Sequence, residues 1–144
     1  MYTLTIVFNK ERNKVLMCFH EKKKGYNFIG GKVEEGESEI DASYRELEEE
    51  TGIGKDVIDL CFVRRESVST GYDAVYSMYV TAGVLKEDVE VRPEVNPLVW
   101  VDITDTNFFL EAFGFGNCFT FLHEAMVTLL LKKGVVFDGK MRET

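Results

Sequence analysis

The chain of 144 residues is 45% hydrophobic and 29% charged, with a formal net charge of −8. That size reads as one domain, residues 1–144, able to bury a core without disulfide or metal staples. The acidic balance argues against a nucleic-acid polymer as partner, and no apolar run reaches the about 18 residues that cross a bilayer.

The start, Met1 to Phe8, lacks the basic residues and long apolar run of a signal peptide. Tyr2 to Phe8 is rich in β-branched and aromatic residues and predicts a strand. A polar turn over 9–14 and a second strand over Val15 to His20 complete a hairpin. A charged loop with Lys22, Lys23 and Lys24 follows, then a short apolar run from Tyr26 to Ile29 that Gly30 and Gly31 should break. Ser38 opens a helix, with Asp41 completing an approximate capping box, and Gly52 closes it. Ile40, Tyr44 and Leu47 form its apolar stripe. Val57 to Arg64, Ala74 to Leu85 and Pro97 to Ile103 predict further strands, the last carrying Trp100 as a core residue. A second helix runs from Asn117 to Lys133, and Val135 to Phe137 adds a short strand. Strands separated by short turns, with two helices between and after them, predict an α+β fold. It is an α/β/α sandwich with a mixed, mostly antiparallel sheet and helices on its faces. Cys18, Cys61 and Cys118 are odd in number and lack zinc spacing, so they read as reduced packing residues in a cytoplasmic protein.

Charge is distributed very unevenly. Residues 31–53 hold nine carboxylates against Lys32 and Arg45, so this stretch carries −7 of the total −8. On a helix Glu46, Glu49 and Glu50 converge, being three and four residues apart, and Arg45 reaches Glu49 one turn on. The expectation is an acidic face opposite the apolar stripe. Many such faces are merely solvated. Here a loop of Gly30, Gly31 and Lys32 leads toward the helix, and glycines let backbone approach a ligand closely. Oxygen ligands suit hard divalent cations, so the pattern suggests a metal-bound phosphate chain with Lys32 as a phosphate contact. The G-x-x-x-x-G-K-[ST] loop of P-loop enzymes is absent.

Gly31, five residues, Glu37, seven residues, then Arg45-Glu46-Leu47-x-Glu49-Glu50-x-Gly52-Ile53 resembles the Nudix box at every defined position. The resemblance implies a Nudix fold and hydrolysis of a nucleoside diphosphate linked to another group, with Mg²⁺ or Mn²⁺ as cofactor. It assigns metal binding to Glu46, Glu49, Glu50 and the carbonyl of Gly31, and has Arg45 orient Glu49 while Glu37 supports the loop or the metal shell. The general base varies among Nudix enzymes: Glu49 is the first choice here. Glu94, in a loop before the strand with Trp100, is the second, and a solvated loop charge is its plain reading.

Substrate choice lies outside the box. Tyr2-Thr3-Leu4 and Asn27 to Val33 resemble the MutT-like oxidised purine nucleoside triphosphatases, in which an Asn at the position of Asn27 reads the purine edge. The segment 108–121 holds six of the eleven Phe residues. Most serve a core, while Phe113 or Phe115 could stack on a base. Asn117 is either a helix cap or a second base reader. Ile29, Tyr26 and the Gly116-Asn117 pair depart from the MutT-like pattern. The reading is therefore a Mg²⁺-dependent triphosphate pyrophosphohydrolase, with 8-oxo-dGTP as the model substrate and the protein a monomer or homodimer. ADP-ribose, a diadenosine polyphosphate or an unmodified NTP is the alternative substrate. A catalytically inactive nucleotide sensor is the other alternative, and the intact carboxylates argue against it.

Overall fold

The computed structural model describes residues 1–21, 25–69, 75–93, 96–111 and 118–137. In chain order the elements are β1 (Tyr2–Phe8), β2 (Lys14–His20), β3 (Gly25–Asn27), β4 (Ile29–Lys32), α1 (Glu39–Thr51), β5 (Cys61–Ser69), β6 (Val75–Val84), β7 (Leu98–Asp102), α2 (Thr106–Glu111) and α3 (Cys118–Lys133). The seven strands form one sheet with the path β3-β2-β1-β6-β5, to which β4 adds on β1 and β7 on β2. Only β1 and β6 run parallel, from Tyr2 opposite Met78 to Phe8 opposite Val84. The other pairings are antiparallel. The expected mixed sheet with helices on its faces is therefore present.

The alternation of side chains along a strand explains the two cores. Ile6, Phe8, Val15 and Met17 pack under α3 with Phe121, Leu122, Ala125 and Leu129. Their neighbours Val7, Leu16 and Cys18 face the other way, against Leu47 of α1 and Ile53. Strands β1 and β2 are buried on both faces, which is why they read as nearly continuous apolar runs. Phe137 packs on Phe8 with ring centroids 4.6 Å apart, tying the segment after α3 to the first core.

One edge of β1 is shared by two partners. Its end pairs with β2 at Phe8 and Val15. Its beginning pairs instead with β4, from Tyr2 opposite Lys32 to Thr5 opposite Ile29. The sheet thus forks between β1 and β2, and β4 fills one arm of the fork. Thr5 and Thr81, both fully buried on adjacent strands, share a 3.2 Å hydroxyl hydrogen bond beside it.

Four expectations need correction, and one helix was not foreseen. Gly30 and Gly31 do not break the chain; both lie within β4, without positive φ. They are small because of what they touch: a Cβ on Gly30 would run into the Thr3 carbonyl, and one on Gly31 into the Glu46 carboxylate. The strand expected from Val57 begins only at Cys61. Val57 turns back to hydrogen-bond Gly54 (3.2 Å), and Ile58 makes a single bridge to Leu85, so both serve as plugs in the α1 core. Val135 to Phe137 forms no strand. Helix α2 was not expected, because its six residues span too few turns to show a period. Trp100 is only partly buried, packed against the α1 core.

Replacing Gly30 by Ala should cost about 1–3 kcal/mol, because the obstacle is backbone that cannot rotate away. Urea unfolding of the variant would show a lower midpoint with an unchanged slope; an unchanged midpoint would contradict the packing described.

Candidate active site

Helix α1 begins as its sequence dictates. The Ser38 hydroxyl accepts the Asp41 backbone N–H at 3.2 Å, and Glu39 and Asp41 place negative charge on the first turn, where the helix dipole favours it. At the other end Gly52 adopts φ 81°, and its N–H caps the Glu48 carbonyl. The turn ahead of the helix is closed by Glu37, whose Oε1 accepts the Glu34 N–H at 3.1 Å. Tyr44 holds the far side by accepting the Leu60 N–H at 2.8 Å.

The acidic face does not lie opposite the buried one. Ser43 and Leu47 are buried, and Glu46 and Glu50 follow them at helical spacing on the same side. The helix therefore turns two of its carboxylates inward, toward β4, and leaves Glu48 and Glu49 exposed. The missing Cβ of Gly31 makes room for the Glu46 carboxylate. A purely apolar stripe would have pressed the helix closer and shut this gap.

Arg45 organises the remaining charge. Its guanidinium grips Glu37 with two hydrogen bonds, at 2.7 and 2.9 Å. Nη1 donates to Glu46 at 3.0 Å and to Glu49 at 3.1 Å. Nη2 donates to the Lys32 carbonyl at 3.0 Å, fixing the end of β4 to the helix. The planar fork suits this multiple grip better than a Lys ammonium would. Its hydrogen bonds hold Glu37 below the ordinary carboxylate range, and Glu37 first, then Glu46 and Glu34, raise the guanidinium further.

Glu50 has no such partner among the described residues. Its Oε2 is buried without a hydrogen bond, and burial, followed by repulsion from Glu46 and Glu49, pushes its carboxyl up to about 7. Burial also raises Glu46, although Arg45 opposes the shift. Among the described residues no three acidic, His or Cys side chains are already closed around one point. Arg45 holds two of the three box carboxylates of α1, and Glu49 is directed to solvent.

A cavity of about 230 Å³ opens at the fork of the sheet. Tyr2, Leu4, Asn27, Phe28, Gly30 and Gly31 are among the residues that line it. Asn27 is buried at the end of β3, and Gly31 separates the cavity from Glu46. The structure thus brings Asn27, Gly31, Arg45, Glu46, Glu49 and Glu50 into one region. Lys32 lies exposed beside them, and its carbonyl is what ties it to the site. Glu94, Phe113, Phe115, Asn117 and the 22–24 lysine run lie outside the described residues. Sequence reasoning missed Thr3, whose hydroxyl donates to the Gly31 carbonyl at 3.4 Å. It also missed the cavity lining by Phe28, His20 and Met78. The pairing of Thr3 with Thr5 on one face of a mostly apolar strand could have flagged both as buried polar residues.

The family model described as NUDIX domain matches residues 2–117. The chain belongs to the Nudix family. No curated protein sequence matches it. Among solved Nudix structures, it is 29% identical to MutT from work on Aliivibrio salmonicida and Vibrio cholerae, covering 77% of this chain and 86% of that one, with a TM-score of 0.60. It is 15% identical to the E. coli dihydroneopterin triphosphate pyrophosphohydrolase, covering 85% and 92%, with a TM-score of 0.70. It is 18% identical to the C. elegans Ap4A hydrolase, covering 90% and 98%, also with a TM-score of 0.70. The protein is a Nudix hydrolase, and such enzymes use a divalent metal ion. The residues present fit one. The orphaned Glu50 carboxylate beside Glu46 and Glu49 is an all-oxygen donor set with uncompensated charge, which a hard cation would relieve.

This leads to a stability prediction without metal. The folded Glu50 carboxyl keeps its proton up to about pH 7, whereas its ordinary value is 4.5. Between these values the unfolded chain loses the proton first, so Glu50 destabilises the fold increasingly as pH rises. In EDTA, Glu50→Gln should melt above wild type at pH 8, by roughly 2 kcal/mol after allowance for partial solvent screening. The gap should vanish near pH 4.5. Calorimetry that found the variant less stable at pH 8 would refute this; added Mg²⁺ should stabilise wild type more than the variant.

Proposed function

We propose that the protein hydrolyses a nucleoside triphosphate, an oxidised purine such as 8-oxo-dGTP foremost, to the nucleoside monophosphate and pyrophosphate, with Mg²⁺ or Mn²⁺ bound. The supporting observation is adjacency. The cavity wall of Gly30 and Gly31 is also the surface against which the Glu46 carboxylate rests. A base inside the cavity would direct its phosphates past Gly31 toward the acidic face of α1. At about 230 Å³ the cavity is smaller than the roughly 300–1,000 Å³ of pockets that enclose a whole drug-sized ligand. It suits a base better than a complete nucleotide. The 29% identity to a MutT structure favours the same reading.

Glu46, Glu50 and the Gly31 carbonyl would hold the metal, together with Glu49. A bound divalent cation supplies neutralisation of phosphate oxygens and a lower pKa for water. Glu49 reaches solvent, with 58% of its side chain exposed, and takes the proton of the attacking water, with Glu94 as the second choice. Arg45 keeps Glu49 aligned through their 3.1 Å hydrogen bond. Water oxygen bonds to phosphorus as the bond to the pyrophosphate oxygen breaks. Lys32 meets the phosphates, Asn27 reads the base, Phe115 is assigned to stack on it and Asn117 to read it as well. The three free thiols suit a reducing, cytoplasmic setting.

The test is a product assay with Mg²⁺ across 8-oxo-dGTP, dGTP, other NTPs, ADP-ribose and diadenosine polyphosphates. Pyrophosphate release, greatest from 8-oxo-dGTP, is expected; turnover confined to ADP-ribose would overturn the substrate class. Glu49→Gln and Glu50→Gln should each lower turnover by about 10²-fold or more with the fold intact by circular dichroism. Wild-type turnover in both would sink the metal-site assignment.

A further inference from the structure

The side chain of Asn27 is held in one orientation. Its Oδ1 accepts the Phe28 backbone N–H at 2.8 Å. A backbone N–H can only donate, so the oxygen must face it and the two look-alike amide flips are not equivalent here. The same Oδ1 lies 3.7 Å from the Cys118 thiol, at the first turn of α3, 91 residues along the chain. An amide oxygen has no proton to give, so the thiol donates. Burial pushes the Cys118 thiol up to about 11, so it keeps that proton at neutral pH.

The Phe28 contact moves with Asn27, being its neighbour. The Cys118 contact does not: it ties Asn27 to a different layer of the fold. Both side chains are buried, at 2% and 6% exposure, where even a weak donor counts for more than in water. The Asn27 Nδ2 makes no hydrogen bond among the described residues, and Asn27 lines the cavity at the fork. With the oxygen occupied, the cavity is offered an N–H donor. A 6-oxopurine presents an acceptor at that edge, whereas a 6-aminopurine presents a competing donor.

We infer that Cys118 is a positioning residue for base selection: it holds the Asn27 carbonyl back and keeps the amide donor turned to the cavity, which favours 6-oxopurines over 6-aminopurines. This rests on the cavity being the base site of the proposed triphosphatase.

The experiment compares kcat and KM for dITP and dATP, whose bases differ at the 6-position, in the full chain with Mg²⁺. Wild type should prefer dITP by about tenfold or more in kcat/KM. Cys118→Ala should reduce that ratio several-fold, the loss falling in KM for dITP. Cys118→Ser, which restores a donor, should recover it, with thermal melting showing both variants folded. An equal ratio in Cys118→Ala and wild type, a collapse in Ala and Ser alike, or no wild-type preference would overturn the inference. Asn27→Ala separates the two layers of argument. If it leaves the wild-type preference unchanged, the base-site reading itself fails. If it abolishes the preference while Cys118→Ala does not, only the role of Cys118 fails.

Discussion

The approach of α1 to β4 at Gly31 is the contact on which the site depends. The helix could pack on the sheet through Leu47 alone, but its inward carboxylates would then meet backbone. One missing Cβ leaves the Glu46 carboxylate a place to stand. From that contact follow the wall of the cavity and the closeness of the cavity to the acidic face. Arg45 completes it by joining Glu37, Glu46, Glu49 and the Lys32 carbonyl through one guanidinium. The same group thus fixes the loop before the helix, the helix itself and the strand beneath.

Charge within this region is only partly compensated. Arg45 offsets some of the carboxylates, and Glu50 remains buried with no partner for Oε2. A structural salt-bridge network would have satisfied it, because an unpaired buried charge is costly. Retained here, the imbalance is the local expense of the cation site proposed above. The fold carries it elsewhere, through two apolar cores on either side of β1 and β2.

Much of this was legible in the residues. The strands of the first hairpin, the caps at Ser38 and Gly52 and the sharing of one side of α1 by Glu46 and Glu50 follow from short-range rules. Several of the errors share a cause, since they concerned residues whose roles are set by a distant partner. Gly30 and Gly31 looked like breakers because their neighbours in space, Thr3 and Glu46, are not neighbours in sequence. Val57 and Ile58 have strand composition but are spent as plugs beneath α1. The acidic face was placed opposite the apolar stripe because a helical wheel shows which residues share a side, not which side the sheet takes. The link from Asn27 to Cys118 spans 91 residues and leaves no local pattern at all.

The parallel pairing of β1 with β6 has a kinetic side. Thr5 and Thr81, joined by a buried hydrogen bond, are 76 residues apart. The first strand is thus the centre of the sheet and must wait for a neighbour 76 residues further on. Loop-closure entropy must be met before such a distant contact stabilises anything. The β1–β2 hairpin can form early, but it stays open along β1 until β6 arrives. Capturing β6, and then β7 on β2, therefore carries the largest loop-closure cost, and a ribosome releases the first strand long before either arrives.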